Sequence, residues 1–206
     1  NSTTDNPLVF PETTEHRSTI ISQGNFHGEI LALCADRMSL ALFELGSISE
    51  RRMDQLLDSK KSGLPPFLAN NSGLESGMMI VQYSAGSALA EMHGHAAPRT
   101  AFSTSTSAGQ EDHVSMGATA CWNLYQSCIR LSEVLACELV IACQGLEYTT
   151  LNPASFVKSL HKLVRTISPK LTKDRSISAE LQSIAEILRE GTWLSRIEAE
   201  NERLVR

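Results

Sequence analysis

Gly117-Ala118-Thr119-Ala120-Cys121-Trp122-Asn123-Leu124-Tyr125-Gln126-Ser127-Cys128-Ile129-Arg130-Leu131-Ser132-Glu133-Val134-Leu135-Ala136-Cys137-Glu138-Leu139-Val140-Ile141-Ala142 is the stretch from which the fold can be read. Gly117, Cys121, Leu124, Cys128, Leu131, Leu135, Glu138 and Ala142 recur in it at alternating four- and three-residue steps, and all but Glu138 are apolar or small. That spacing predicts the seam of a helical bundle. A helix from about Gln110 to Gln144 would run roughly 50 Å at 1.5 Å per residue. Such a length suits the spine of an oligomeric bundle better than a compact domain. Glu138 interrupts the seam, and a buried carboxylate must be paired or protonated, so an Arg partner from another helix is expected.

Immediately upstream lies Thr106-Ser107-Ala108-Gly109-Gln110-Glu111-Asp112-His113-Val114-Ser115-Met116. Ser107 and Gln110 have capping-box spacing, which predicts that the long helix starts here. Glu111 and Asp112 are favourable as anions in a first turn. On these residues alone two readings stay open: cap and dipole residues with no chemistry, or a cluster of amide, carboxylates and imidazole that serves a site.

The 206-residue chain is long enough for one or two domains with a sizeable core. A net charge of −5 argues against an electrostatically driven nucleic-acid binder. No apolar run is long enough to span a bilayer, and no secretory signal pattern opens the chain, so no membrane partner is expected. The five cysteines (Cys34, Cys121, Cys128, Cys137, Cys143) lie in apolar helical patterns without a C-x-x-C. They read as small core residues in a reducing cytoplasm.

Residues 1–24 are polar, contain Pro7 and Pro11 and show no helical period, so an extended or looped segment of a truncated chain is expected. From Ile30 to Leu45 a second buried helix is predicted, with Leu31, Ala35, Met38, Leu42 and Leu45 inside. Gly46 should interrupt it, and a short polar turn should follow to about Asp58. Phe26 and His27 stand at its start between Gly24 and Gly28, either as a staple and a solvated imidazole or where something approaches closely. Residues 60–73, with Gly63-Leu64-Pro65-Pro66-Phe67, form a stiff loop. A third helix is expected from about Leu74 to Met92, followed by His93-Gly94-His95 in a loop; metal binding by that pair is disfavoured for want of further ligands. Pro153 should sit at N1 of the next helix, running to about Ile167. Ile177 to Glu190 should be amphipathic and closed by Gly191. Trp193, Leu194 and Ile197 should form a last short helix. Three regions result: an N-terminal loop segment (1–24), a central bundle segment (25–148) and a C-terminal helical region (149–206). Period-two alternation, internal repeats, phosphate-binding Gly loops, G-x-S-x-G and zinc spacing are all missing. Periodicity alone stops at an oligomeric all-α bundle.

Several motifs occur in one order: Asp5-Asn6-Pro7-Leu8-Val9-Phe10, Ser22-Gln23-Gly24-Asn25-Phe26-His27-Gly28-Glu29, Leu45-Gly46-Ser47-Ile48-Ser49-Glu50-Arg51-Arg52, Gly63-Leu64-Pro65-Pro66-Phe67-Leu68 and the 106–116 stretch. Together, over about residues 5–148 and more loosely to the end, they resemble the C-terminal half of the histidine and aromatic amino-acid ammonia-lyases. The resemblance implies the C-terminal part of a fumarase/aspartase-like long-helix bundle, assembled as a homotetramer whose active sites each draw on three subunits. It also implies removal of ammonia from an amino acid through 4-methylidene-imidazol-5-one (MIO), an electrophile formed from an internal Ala-Ser-Gly. In that resemblance Phe26, with Asn25 beside it, matches the aromatic that packs against MIO. Glu111 matches the carboxylate that histidine-specific members place against the substrate imidazole, where phenylalanine and tyrosine lyases commonly carry Gln. Gln110 matches an amide of the same pocket, and His27 is typical of the histidine branch. The implied reaction is therefore deamination of L-histidine to urocanate.

This chain departs from the family pattern at several points. It has no Ala-Ser-Gly; Ser84-Ala85-Gly86 and Ser107-Ala108-Gly109 have the wrong order. The family's catalytic tyrosines and carboxylate-binding arginine belong to a part preceding residue 1, and Gln23 and Ile30 replace the usual Gly and Pro. The chain alone is expected to be inactive and to need an N-terminal companion. Two alternatives stay open: a tyrosine or phenylalanine lyase or 2,3-aminomutase of the same family, and a non-catalytic helical assembly module.

Overall fold

The chain folds as a mostly helical protein, seen in a computed structural model that describes residues 4–193 and residue 195. Leu194 and Ile197, expected on a last helix, lie outside the described residues. Near the N-terminus, β1 (Leu8–Phe10) and β2 (Thr19–Ile21) form an antiparallel hairpin with Leu8 opposite Ile21 and Phe10 opposite Thr19. The expected loop is thus partly paired, because Asn6 Oδ1 accepts hydrogen bonds from Gln23 N (2.8 Å) and Ser22 Oγ (3.2 Å) and ties the segment's ends together. Six α-helices follow among the described residues: α1 (Glu29–Leu57), α2 (Ser59–Ser62), α3 (Met79–His95), α4 (Gly117–Leu146), α5 (Ser155–Ile167) and α6 (Ser178–Glu190). None is long and apolar enough to cross a membrane.

By contact the chain divides into two units that interleave in sequence, residues 1–40 with 95–125 and residues 41–94 with 126–206. In the first unit α1 and α4 meet through Ala32, Ala35 and Ala120, with Leu124 against them, and such small side chains let helix axes come close. The second unit holds the main core. There Met53 and Leu57 of α1, Val81, Ala85 and Met92 of α3 and Val134, Val140 and Ile141 of α4 pack together, closed by Val164 of α5 and Ile184 of α6. Removing such side chains from water drives the fold at roughly 25 cal/mol per Å² of apolar surface.

Several boundaries differ from the periodic reading. α1 passes straight through Gly46, which is buried. A Cβ there would lie 3.1 Å from Leu89 of α3, so Gly46 serves close packing and does not break the helix. α3 starts at Met79, not Leu74, because Gly77 sits at φ +57 and the Asp174 carboxylate accepts from the Ser76 and Gly77 N–H groups (2.7 and 3.0 Å). At its other end α3 carries His93 and His95 in its last turn, where the His93 ring lies edge-on to Phe43 at 5.4 Å. Pro153 precedes α5 without entering it; Ala154 is the N-cap. Gly191 closes α6 in the left-handed conformation, as its sequence position implies.

The seam on α4 is out of phase with the sequence reading in its first half. The buried positions there are Ala120, Asn123 and Ser127, and Leu131 is the first seam residue to be buried, whereas Cys121 and Cys128 are exposed. In α1 the small residues Ala32, Ala35 and Ser39 point inward, and Leu31 and Met38, expected inside, are exposed. Of the cysteines only Cys137 and Cys143 are core residues; burial pushes their thiols up to about 12 and about 11. The expected partner of Glu138 is present: Arg52 of α1 donates Nη2 to Oε2 at 2.8 Å and pairs its Nε with Oε1, while Ser49 Oγ donates to Oε2 at 2.6 Å.

Candidate active site

Glu111 stands on a loop rather than in a first helical turn. Ser107 (φ 52) and Ala108 (φ 54) adopt left-handed backbone that L-residues avoid, and with Gly109 (φ 89) they curl into a tight turn. Strain of this kind typically costs on the order of 1–3 kcal/mol per residue and persists only when the surroundings impose it. Here a two-way backbone pairing closes the loop: Thr106 N donates to Glu111 O (2.9 Å) and Glu111 N to Thr106 O (3.3 Å). Capping-box spacing suggested a helix because its Ser and Gln also suit a turn. The helix begins ten residues after Ser107, at Gly117, where Ser115 Oγ accepts the Gly117 N–H at 3.2 Å.

The facing segment is a single 3-10 turn, Asn25–His27, closed by Gly28 at φ +69 just before α1. Ser115 joins the two segments from behind: its buried hydroxyl donates to the His27 carbonyl at 2.5 Å. In front, two acid–imidazole pairs cross from segment to segment. His27 Nε2 lies 2.6 Å from Glu111 Oε2, and two residues further along both segments His113 Nε2 lies 3.3 Å from Glu29 Oε2. The inner pair is the more enclosed, with side chains 19% and 29% exposed against 60% and 37% for His113 and Glu29.

These residues border one hollow of about 480 Å³, whose wall includes Phe26, His27, Glu29, Gln110, Glu111 and His113. The Phe26 ring stacks on His27 at 4.3 Å between centroids and is otherwise 42% exposed. Four of the five expected site residues are therefore brought together. Asn25 is not among the lining residues. The sequence reading missed the Glu29–His113 pair and the tie through Ser115. A signal for the pair was present: His27-Gly28-Glu29 and Glu111-Asp112-His113 carry imidazole and carboxylate at the same two-residue spacing in opposite order.

The loop that presents Glu111 is anchored further back by a second carboxylate. Asp36 Oδ2, buried on α1, accepts from Thr100 N (2.9 Å) and Thr100 Oγ1 (2.8 Å). Burial pushes the Asp36 carboxyl up, but the Thr100 hydrogen bonds, with Arg99 beside them, outweigh it and hold the group below its ordinary 3.8. Three residues past Thr100, Ser103 Oγ accepts from Val114 N at 2.9 Å and so fixes the far side of the loop.

A wall of carboxylates, an amide and imidazoles around an aromatic face can accept N–H groups from a flat, nitrogen-bearing ring. Among the described residues no cluster suited to a metal ion occurs.

Residues 1–166 match the family model for aromatic amino acid lyase. Among curated proteins the chain is similar to the histidine ammonia-lyase of Deinococcus radiodurans, 47% identical over 180 residues that make up 87% of this chain and 34% of that protein. Among solved structures it resembles histidine ammonia-lyase from Trypanosoma cruzi, with a TM-score of 0.85 and 37% identity over 95% of this chain and 38% of the other. It also resembles tyrosine aminomutase from Streptomyces globisporus, with a TM-score of 0.86 and 30% identity over 95% and 37% of the two chains. The chain thus spans about a third of the length of the curated relative.

Proposed function

This chain belongs to the aromatic amino acid lyase family, and from that premise we propose that it is the C-terminal part of a histidine ammonia-lyase, which converts L-histidine to urocanate and ammonia. The observation that carries the reading is the meeting of Phe26 and Glu111, 85 positions apart in the chain, on one hollow with Gln110 and His27. Glu111 accepts the ring N–H of the substrate imidazole and so holds the side chain in one orientation. Gln110 offers an amide to the same ligand, and the exposed face of Phe26 forms an apolar wall.

The prosthetic group of this reading, MIO, would form from an Ala-Ser-Gly that another part of the enzyme supplies. The residues present fit one side of it: Phe26 offers an uncovered aromatic face, and no atom lies within 4 Å of where a Cβ on the neighbouring Gly24 would stand. When bound, MIO supplies an electrophile for the substrate's amino group, and C–N cleavage with loss of a β-proton leaves the α,β-unsaturated acid. This chain's residues bind and orient the ring end of the substrate while the partner segment handles the amino-acid end. Homotetrameric assembly with the N-terminal part belongs to the same proposal, supported by exposed Ile30, Leu31, Leu33, Met38 and Leu40 along the start of α1. Five free thiols agree with a cytoplasmic setting.

Combining the chain with a polypeptide bearing the Ala-Ser-Gly segment and following urocanate formation tests the reading. Activity is expected from the combination and not from the chain alone. Glu111→Gln in the combined enzyme should lower histidine turnover about 10- to 100-fold, the loss of a charge-assisted bond at the reacting substrate. An unchanged rate would leave Glu111 without a substrate role. The likeness to tyrosine aminomutase supports a second reading, an aromatic lyase or aminomutase. A panel of histidine, tyrosine and phenylalanine separates the two, and the carboxylate at 111 favours histidine because a phenyl ring has no N–H to give it.

A further inference from the structure

We propose that His27 acts as a positioning residue: it holds one oxygen of Glu111 so that the other is presented to the substrate ring, and thereby sets the enzyme's preference for an N–H-bearing ring. The inference rests on the reading that Glu111 meets the substrate imidazole. An ionised carboxylate only accepts hydrogen bonds, so the 2.6 Å contact from His27 Nε2 to Glu111 Oε2 requires the proton on Nε2. Among the described residues no other side chain pairs with this carboxylate, which leaves Oε1 for a ligand.

His27 is itself held on three sides. Its carbonyl takes the Ser115 hydroxyl, its ring lies against Phe26, and Gly28 turns the chain so that α1 can start directly behind it. The Glu29–His113 pair two residues on keeps the two segments in register. The charged groups that share the hollow, Glu29, Asp112 and His113, make it rich in carboxylates, which favour a ligand ring that donates hydrogen bonds. With the His27 donor gone, the Glu111 side chain is free to rotate away from the ligand, and binding must include the cost of ordering it.

The test uses the combined enzyme, with histidine and phenylalanine as alternative substrates. His27→Phe keeps an aromatic ring against Phe26 but donates no hydrogen bond. It is expected to lower kcat/KM for histidine about 10- to 100-fold, the range for one charge-assisted bond, and to change phenylalanine turnover far less. His27→Gln, whose amide N–H can reach the same oxygen, should lose about tenfold less than His27→Phe. In a Glu111→Gln background His27→Phe should cost less than about threefold, since the group it positions is gone. Equal losses for both substrates, or the same loss with Glu111 and with Gln at 111, would overturn the inference and leave His27 a packing residue. If Glu111→Gln alone leaves histidine turnover intact, the substrate reading fails and takes this inference with it. A large Glu111 effect with an additive His27 effect removes only the inference.

Discussion

The residues around Glu111 leave its carboxylate few places to be. The left-handed Ser107 and Ala108 aim the loop, the Thr106 pairing closes it, and His27 takes one oxygen. The outer pair should matter much less. His113 is largely exposed and Glu29 partly so, and ion pairs open to solvent contribute about 0–1 kcal/mol. On the proposed histidine reading, Glu29→Gln or His113→Asn should therefore change histidine kcat/KM of the combined enzyme by less than about fivefold, measured beside His27→Phe. Gly77 is the opposite case, since a Cβ there would stand 2.5 Å from the Phe67 carbonyl oxygen and its φ of +57 disfavours any L-side chain. Gly77→Ala should lower unfolding free energy by about 2 kcal/mol or more in denaturant titration. These readings depend on backbone conformation, which is why the capping-box pattern at Ser107 and Gln110 misled: the same residue types suit helix starts and turns.

At the level of elements, α1 and α4 were both visible in the sequence, and the Arg partner of Glu138 could be foreseen from the cost of a buried carboxylate. Their phase could not. Both helices carry two apolar faces; in the first unit the alanine face packs inside and the larger side chains of α1 point out, with Ile30 and Leu31 each 70% exposed. A periodicity argument weights the larger side chains and so favours the face that is exposed in this chain. The α1–α4 contact through Glu138 is testable on its own. Arg52→Met leaves the carboxylate with Ser49 as its remaining partner and should cost about 1–3 kcal/mol. Replacing Arg52 and Glu138 together by Leu should cost less than that single change, because no charge is left without its partner.

For the whole molecule, acid sensitivity follows from two carboxylates. Burial pushes Glu147 up, but hydrogen bonding and charge from Arg165, with His161 adding to them, hold it below its ordinary 4.5; Asp36 lies below 3.8 for the reasons given above. A folded-state value below the unfolded one means the stabilisation is complete above pH 4.5 and is lost as pH falls through the depressed folded value. Thermal midpoints should decline below about pH 4.5, and Glu147→Gln should flatten that decline. The exposed apolar face of α1 makes a second prediction: Leu31→Glu combined with Met38→Glu should reduce the native mass of the assembled enzyme in sedimentation, whereas a face without partners would leave the mass unchanged.

Residue identity and order alone settled the all-helical class and the family likeness and pointed to Glu111 and Phe26 as site candidates, since long motifs in a fixed order carry that information without coordinates. Tertiary structure decided which face of each long helix is inside, where α3 and α4 begin, and that His27 meets Glu111 while Asn25 stands apart. Those outcomes depend on contacts between residues some 80 positions apart and on left-handed turns, and neither leaves a period in the chain.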